Sequence, residues 1–332
     1  MHKERREGAW ALASGALANL WGNAGMWVVF CALFAGISVF VPEFFTPFNM
    51  KALAVSVATV GMVSCTMLFC LASGHFDLSV ETILSMSGVL AAVVVAFTGN
   101  ALLGVLAGIA AGGVVGAVNG VVIAKFKINA LITTLATMQI VKGLGYLICK
   151  GQAVSVSNEN FFLLGTSAIL GIPVPVWITA LCFIIFGILL NRTVFGRQTL
   201  AIGGNKEAVR LAGINVFKTQ FGIFLIQGFV AGFAGVIVAS KMTSGQPKPP
   251  EGFALDVISA CVLGGVSLAG GVGTMTGAVV GVLIMGTVAN AMNLLNIDTF
   301  YQYVVRGSIL LAAVLFDKYG QSRKGRRTGH AS

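Results

Sequence analysis

Residues 101–124 read ALLGVLAGIAAGGVVGAVNGVVIA, an apolar run without a single charged side chain. A helix rises 1.5 Å per residue, so about 20 such residues cross the roughly 30 Å hydrocarbon core of a bilayer. Glycine recurs every four residues within the run, at Gly104, Gly108, Gly112, Gly116 and Gly120. On a helix this spacing forms one bare stripe, which lets membrane helices approach to van der Waals contact. The stretch therefore predicts a membrane-spanning helix that packs tightly against a neighbour.

The composition of the whole chain agrees with this stretch. Of its 332 residues, 57% are hydrophobic and only 10% are charged, whereas soluble domains carry about 25% charged residues. The 43 glycines show no collagen period and lie mostly inside apolar segments. These values exclude a soluble globular fold and predict an all-α integral membrane protein.

The apolar runs predict about ten transmembrane helices. The candidate spans are 25–41, 50–72, 80–98, 101–124, 130–149, 174–190, 219–240, 254–268, 274–292 and 302–316. Segments 254–268 and 302–316 are short for a full crossing. An even number of crossings places both ends of the chain on one side of the membrane.

The positive charges give the orientation. The net charge is +10, and Lys and Arg cluster near both ends, at Lys125 and Lys127, and in the loop 191–218. The even span count puts all of these on one side, which the positive-inside rule identifies as the cytoplasm. A nucleic-acid-binding surface would need a soluble face, and the sequence leaves none. We therefore expect a cytoplasmic tail at 1–24, a membrane domain at 25–318 with its cytoplasmic loop at 191–218, and a basic cytoplasmic tail at 319–332.

Two segments predict interrupted helices. SGHFDLS (73–79) separates the second and third spans without a real loop, and LGGVSLAGG (263–271) does the same between the eighth and ninth. Transporters place such breaks at corresponding points of two structural halves. The shared pattern, small residues and then a polar residue before Leu, indicates a possible internal repeat.

The chain lacks the motifs of an enzyme. It has no G-x-x-x-x-G-K-[ST] loop, so it does not bind ATP by that route. His2 and His330 lie near the chain ends, which leaves His75 without a Ser/His/Asp arrangement. The six cysteines lie in apolar stretches without metal-ligand spacing and fit the role of packing residues. We predict no catalytic residue, no metal site and no cofactor bound by this chain.

The cytoplasmic loop predicts a short surface helix at 205–213. Asn205 suits the N-cap, Glu207 the first turn, Arg210 the later turn and Gly213 the C′ position. Its apolar face would hold Ala208, Leu211 and Ala212, which suits docking into the groove of a partner. The alternative is a loop helix packed on its own bundle. The candidate docking residues are Asn205, Lys206, Glu207, Ala208, Arg210, Leu211 and Gly213.

Polar residues inside apolar segments are candidates for a solute path. A charged side chain in hydrocarbon costs about 2.5–3.5 kcal/mol on insertion scales, so such groups usually face a cavity. Asp77 and Glu81 are spaced to share a helical face at the start of the third span, although Asp77 also suits a helix cap. Each amide in the set is more often an interhelical hydrogen bond than a contact with a solute. The path candidates are His75, Asp77, Asn119, Asn129, Gln139, Asn290 and Asn293.

Three motifs resemble a known family. They are G-x-x-D-L-S at 74–79, G-G-N-x-x-A…G-I at 203–214 and L-G-G-x-S-L-x-G-G at 263–271. From about residue 25 to 319 the chain resembles the permease subunits of binding-protein-dependent monosaccharide ABC importers, the ribose/xylose/arabinose permease family. Within that family, four stretches are most similar to permeases for L-arabinose: 127–141, 242–247, 290–297 and 302–307.

The resemblance implies a set of partners and a place in the cell. It implies a homodimer around a central translocation path in the bacterial inner membrane. Two cytoplasmic ABC ATPase subunits would carry the ATP, and a periplasmic sugar-binding protein would dock outside. The 205–213 helix would then be the coupling helix that contacts the ATPase.

Three alternatives stay open from the sequence. The cargo could be another pentose or hexose, such as ribose, xylose or galactose. A proton-coupled secondary transporter would need a titrating carboxylate, for which Asp77, Glu81 and Asp256 are the candidates. A passive channel would conduct without any partner.

Overall fold

The structure is a computed structural model that describes residues 25–328. The predicted tail at 1–24 lies outside the described residues, as do the last four residues of the predicted tail at 319–332. The described residues form helices joined by short connections and two small pairs of strands. The helices are α1 (Gly25–Phe40), α2 (Pro47–Ala72), α3 (Val80–Thr98), α4 (Ala101–Ala124), α5 (Ala130–Cys149), α6 (Glu159–Thr166), α7 (Val174–Arg192), α8 (Val194–Leu211), α9 (Val216–Lys241), α10 (Phe253–Leu263), α11 (Met275–Leu294) and α12 (Thr299–Thr328).

The two strand pairs lie in the connections. β1 (Val154–Ser155) pairs antiparallel with β4 (Ser244–Gly245) and ties the segment after α5 to the segment after α9. β2 (Ala168–Ile169) and β3 (Ile172–Pro173) form a hairpin before α7. The all-α prediction therefore holds for the membrane-embedded part, with two minimal β pairs outside the long helices.

Every predicted apolar segment contains a helix. Within residues 25–328, seven helices are long and apolar enough to cross a membrane: α2, α3, α4, α5, α7, α9 and α11. The shorter apolar helices are α1, α10 and the stretch Thr299–Leu315 of α12. The number of ten crossings stays a prediction, and so does the internal repeat.

The helices differ from the predicted segments at several points. The predicted span 254–268 is wrong at its end, because α10 stops at Leu263 and a break follows from Gly264. The segment 150–173, for which no helix was predicted, contains α6 and three of the short strands. The loop 191–218 contains the predicted two-turn helix after Asn205 and, before the kink at that residue, a further helical segment that begins at Val194. The last helix continues to Thr328, and the domain boundary at 318 stays a prediction.

The glycine stripe of α4 packs against α9, as tight packing predicts. A Cβ atom at Gly112 would overlap the carbonyl oxygen of Gly228 and lie 2.8 Å from the Cα of Gly232. A Cβ atom at Gly116 would overlap the carbonyl oxygen of Phe224. Both positions bring backbone against backbone, so no side chain fits between the two helices. The partner stripe on α9, Gly228 and Gly232, had not been recognised from the sequence.

A second pair of glycines, on α11, also lies in a close contact. Cβ atoms at Gly277 and Gly281 of α11 would overlap the carbonyl oxygens of Gly264 and Ala260 in and after α10. These contacts join α10 and α11, which pack with α2 and α7, while α3, α4, α5 and α9 pack with one another. Contacts of α2 with α9 connect the two groups of helices.

Candidate coupling junction and outer polar cavities

The two predicted helix breaks meet in space. The backbone N–H of Gly271, in the break between α10 and α11, donates to the carbonyl of Ala72 at the end of α2 at 2.8 Å. Ala72 directly precedes the break between α2 and α3. Gly270 and Gly271 adopt φ values of 88° and 78°, which favour glycine. The breaks are thus two parts of one junction.

The helix α8 packs directly on this junction. A Cβ atom at Gly203 would overlap the carbonyl oxygen of Ala72 and the backbone nitrogen of Gly271. A Cβ atom at Gly270 would lie 2.9 Å from the Cα of Gly203. Three backbone segments therefore contact one another without a side chain between them. We call this contact of Ala72, Gly203, Gly270 and Gly271 the glycine junction.

The second half of α8 has the predicted caps. Asn205 is non-helical (φ −156°, ψ 95°), and its Oδ1 accepts a hydrogen bond from the N–H of Ala208 at 2.9 Å. Gly213 takes a left-handed φ of 79° just after the helix. Arg210 pairs with Glu207 at 2.7 Å on the exposed surface. The capping pattern is confirmed, and its role in coupling stays a prediction.

The apolar face of this short helix is open. Leu211 is 80% exposed, and Ala208 and Ala212 are also exposed. Val209, on the other face, is buried against the protein's own helices. The helix therefore packs on its own bundle through one face and leaves its predicted docking face uncovered.

The polar residues of the α2–α3 break form buried hydrogen bonds. Asp77 is fully buried, and its Oδ1 accepts from the N–H of Ser79 at 3.0 Å and from the Ser79 hydroxyl at 2.5 Å. Asn119 of α4 donates to that hydroxyl at 2.9 Å. Ser79 is the N-cap residue of α3, so Asp77 holds the start of this helix. Asp77 accepts from the N-cap residue and not from the first turn of α3, so its capping role stays a prediction.

His75 joins the same break to α9. Its Nε2 lies 3.1 Å from Nε2 of Gln220, and its Nδ1 lies 3.1 Å from the hydroxyl of Ser73. Because an amide nitrogen only donates, His75 accepts through Nε2 and carries its proton on Nδ1. The side chain therefore acts as a neutral bridge between the break and α9.

His75 also borders a cavity of about 330 Å³. Lys127, Asn129 and Lys206 line the same cavity. Partial burial, together with the positive charge of Lys127, lowers the pKa of Lys206. Asn129 caps α5, since its Oδ1 accepts from the N–H of Leu131 at 2.8 Å. The cavity lies directly beside the glycine junction, because Gly74 is also part of its lining.

On the opposite side, two path candidates line one cavity. Asn290 and Asn293 border a space of about 330 Å³ between α2, α10, α11 and α12, which we call the inter-helix cavity. Asp256 and Arg306 line it too and form an ion pair of 2.9 Å. A neighbouring space of about 410 Å³, the loop cavity, lies between α3, α9 and the segment 242–251.

The remaining candidates are not in these cavities. Asp77 and Asn119 are buried in the network described above, and Gln139 is exposed on α5. The expectation that Asp77 and Glu81 share a helical face is wrong, because Asp77 precedes α3 and lies in the break. Glu81 instead faces the N-terminus of α10, 3.5 Å from the backbone nitrogen of Ala254.

Sequence reasoning missed two features of these sites. The contacts of Gly203 depend on segments far away in the chain, and a Gly-Gly pair in a loop carries no local sign of them. The pairing of Asp256 with Arg306 had a sequence signal, since each is an isolated charge in an apolar segment. Such charges usually have an opposite charge as partner, and a search for complementary pairs would have joined them.

These features, a bundle of apolar helices with two breaks and an exposed helix beside them, are those of a transporter subunit. Residues 49–314 match the family described as "Branched-chain amino acid transport system / permease component". The match covers most of the chain, and the chain belongs to this family of membrane-spanning permeases.

Several curated relatives match almost end to end. The chain is 57% identical to the L-arabinose transport system permease protein AraH of Escherichia coli (strain K12), over 94% of this chain and 95% of the relative. It is 51% identical to the L-arabinose ABC transporter permease protein AraH of Azospirillum brasilense, over 95% and 93%. The ribose import permease protein RbsC of Bacillus subtilis (strain 168) is 40% identical over 85% and 88%. No solved structure matches the chain.

Proposed function

We propose that this chain is the membrane-spanning permease subunit of an ATP-driven importer for L-arabinose. The high identity to two permeases named for L-arabinose supports the cargo. The lower identity to ribose permeases makes ribose the second candidate. The observation that carries the mechanism is the position of α8. Its exposed apolar end is free for a partner, and Gly203 contacts both helix breaks.

The proposed assembly has three kinds of partner. A second copy of the chain completes the translocation path in the bacterial inner membrane. A cytoplasmic ABC ATPase, which binds the ATP, docks on α8, and a periplasmic sugar-binding protein docks on the opposite side. Both ends of the chain are cytoplasmic in this arrangement, in agreement with the basic residues of the loop 191–218.

The structure suggests how a movement of the ATPase would reach the path. A force on Leu211 moves the short helix that follows the kink at Asn205, and Gly203 lies just before that kink. Because Gly203 contacts Ala72 and Gly271 through backbone atoms, no flexible side chain absorbs the displacement. The movement therefore reaches the ends of α2 and α10 together.

Replacing Leu211 with Asp tests the docking face. An unpaired charge buried in a partner's groove costs about 3–5 kcal/mol, which lowers affinity at least about 100-fold. The permease should insert normally, since Leu211 is 80% exposed and has no packing role in the isolated chain. We expect loss of co-purification with the ATPase and of ATP-dependent uptake of radiolabelled L-arabinose in proteoliposomes.

Leu170→Asp is the matched control, because Leu170 is also an exposed leucine but lies in the turn between β2 and β3. This variant should keep both activities. If Leu211→Asp binds the ATPase as well as the wild type, the coupling site lies elsewhere.

Energy dependence separates the proposal from its rivals. Uptake should need ATP and the partner subunits and should survive a protonophore. Uptake that collapses with the protonophore would indicate a proton-coupled transporter. Conduction by the purified chain alone would indicate a channel.

A further inference from the structure

The polar side chains that line the inter-helix cavity have no part in the coupling mechanism. Its polar lining consists of a carboxylate, a guanidinium, two amides and a hydroxyl, from Asp256, Arg306, Asn290, Asn293 and Ser56. A monosaccharide presents hydroxyl groups that both donate and accept hydrogen bonds. Carboxylates only accept, guanidinium groups only donate, and amides do both, so this set complements a ring of hydroxyl groups.

The size and the apolar wall of the cavity also fit a sugar. Its volume of about 330 Å³ is at the lower end of the range of small-ligand pockets, about 300–1,000 Å³. The apolar part of the lining comes from α2 and α11 and can cover the C–H face of a pyranose. It consists of Ala52, Val57, Val60, Val282, Met285, Gly286 and Ala289.

Hydrogen bonds outside the cavity hold its amides in place. Asn290 exchanges two hydrogen bonds of 2.9 Å with Asn49 of α2. Asn293 accepts at 3.0 Å from Gln302 of α12. These contacts bind the walls together and orient the amides before any ligand arrives, which lowers the entropic cost of binding.

The ion pair of Asp256 and Arg306 is not well explained by stability alone. It joins α10 to α12, and each side chain is between a fifth and a third exposed. A buried ion pair is often no more stabilising than well-packed apolar residues, so stability alone is a weak explanation for it. In this cavity the pair offers an acceptor and two or more donors side by side.

The loop cavity is a weaker candidate for the same role. Its carboxylate, Glu251, pairs with Lys248 at 3.2 Å and accepts from Tyr303 at 3.4 Å, on an exposed surface. Its amide, Gln246, donates to Ser244 in the same loop. These groups bind one another on an exposed surface, whereas Asp256 and Arg306 are mostly buried between helices.

We propose that the inter-helix cavity is the site where the permease itself binds the sugar during passage, with Asp256, Arg306 and Asn293 as direct contacts. The proposal rests on the proposed function and names the binding site of the same cargo. In this arrangement Asp256 accepts from a sugar hydroxyl, and Arg306 and Asn293 donate to sugar oxygens.

The test measures ATP-dependent L-arabinose uptake in proteoliposomes that hold the permease, its ATPase and saturating sugar-loaded binding protein. Asp256→Asn, Asn293→Ala and Arg306→Lys should each lower uptake about tenfold or more. Arg306→Lys keeps the positive charge but loses the planar donor group, so it separates sugar contact from charge pairing. Assembly with the ATPase and the amount of protein in the membrane should stay unchanged.

Gln246→Ala, in the loop cavity, is the matched control and should keep at least half of the uptake. The exchanged pair, Asp256→Arg with Arg306→Asp, should stay inactive because the donor and acceptor positions are reversed.

Full uptake by the exchanged pair would reduce these residues to a structural ion pair and overturn the proposal. Unchanged uptake by Arg306→Lys and Asn293→Ala would overturn it as well, and so would a loss confined to Gln246→Ala. If Asp256→Asn fails to reach the membrane, the uptake by Arg306→Lys and Asn293→Ala decides whether the proposal holds. Failure of the proposed function looks different, because the wild type itself would then show no ATP-dependent uptake of L-arabinose.

Discussion

Glycine brings backbones into contact both between α4 and α9 and at the glycine junction, but the conformations differ. At Gly112 and Gly116 the chain is an ordinary α-helix, and the contact runs between two long regular helices. At Gly270 and Gly271 the chain is irregular, with positive φ, and the contact runs between helix ends and a cytoplasmic helix.

The difference indicates which part of the molecule can move. Every backbone group in the α4–α9 contact is already bonded within its own helix, so bending there would break regular hydrogen bonds. Hinges are formed by a few residues in loops or at helix ends that absorb changes in φ and ψ. The residues of the junction meet that description, and those of the α4–α9 contact do not. We therefore expect α4–α9 to act as a rigid support and the glycine junction as the moving part.

The largest expected effect is at the rigid support. Gly112→Leu would force a side chain between two touching backbones, and overpacking of this kind costs about 1–3 kcal/mol and occasionally more. We expect no stable protein, measured as yield in the membrane and as a monodisperse size-exclusion peak. Gly36→Leu in α1 is the control, because a Cβ atom there meets nothing within 4 Å. Normal yield of Gly112→Leu would mean that α4 and α9 separate more easily than their contact indicates.

An intermediate effect is expected at the glycine junction, where two adjacent glycines differ in the space around them. A Cβ atom at Gly203 would overlap Ala72 and Gly271, whereas one at Gly204 meets nothing within 4 Å. Gly203→Ala should reach the membrane but lose about tenfold or more of its ATP-dependent uptake, because α8 is displaced by roughly 1 Å from the breaks. Gly204→Ala should keep uptake within about twofold. Equal uptake by the two variants would show that the backbone contact does not carry the coupling.

The smallest effect is expected at the edge of the junction. Asp77→Asn keeps an Oδ1 acceptor for Ser79, whereas Asp77→Ala removes it and should lower stability by about 0.5–2 kcal/mol, as for a lost helix cap. Thermal unfolding of the purified permease measures this difference. Uptake by Asp77→Asn should stay near the wild-type level at every pH tested. A pH-dependent loss of uptake in Asp77→Asn would instead indicate a proton relay.

The short helix at the end of α8 shows what residue type and spacing can predict. The capping roles of Asn205 and Gly213 follow from residue type and spacing, and both are confirmed. The first half of α8 was missed because its glycines lower helix propensity. Tertiary packing overrides that propensity, since Gly196 fits tightly against the end of α7 and Thr199 and Ile202 are buried.

The amides among the path candidates show what residue type and spacing cannot predict. Asn290 and Asn293 were expected to face a solute path, and both line the inter-helix cavity, whereas Gln139 from the same set is exposed on α5. All three are amides in apolar helices, and no local pattern separates them. Their surroundings depend on which helix packs next to each one.

The sequence by itself determined the class of protein, the apolar segments, the glycine stripe of α4, the positions of both breaks and the caps of the short helix at the end of α8. Each of these follows from composition or from a periodicity within a few turns of one helix. Only the tertiary structure decided that α9 is the partner of the α4 stripe, that Gly203 contacts both breaks, and that Asp256 and Arg306 share a cavity with two amides. These contacts join residues far apart in the chain. Inside a bilayer most helix surfaces are equally apolar, so hydropathy does not determine which helices become neighbours. Close steric fit and hydrogen bonding determine it instead.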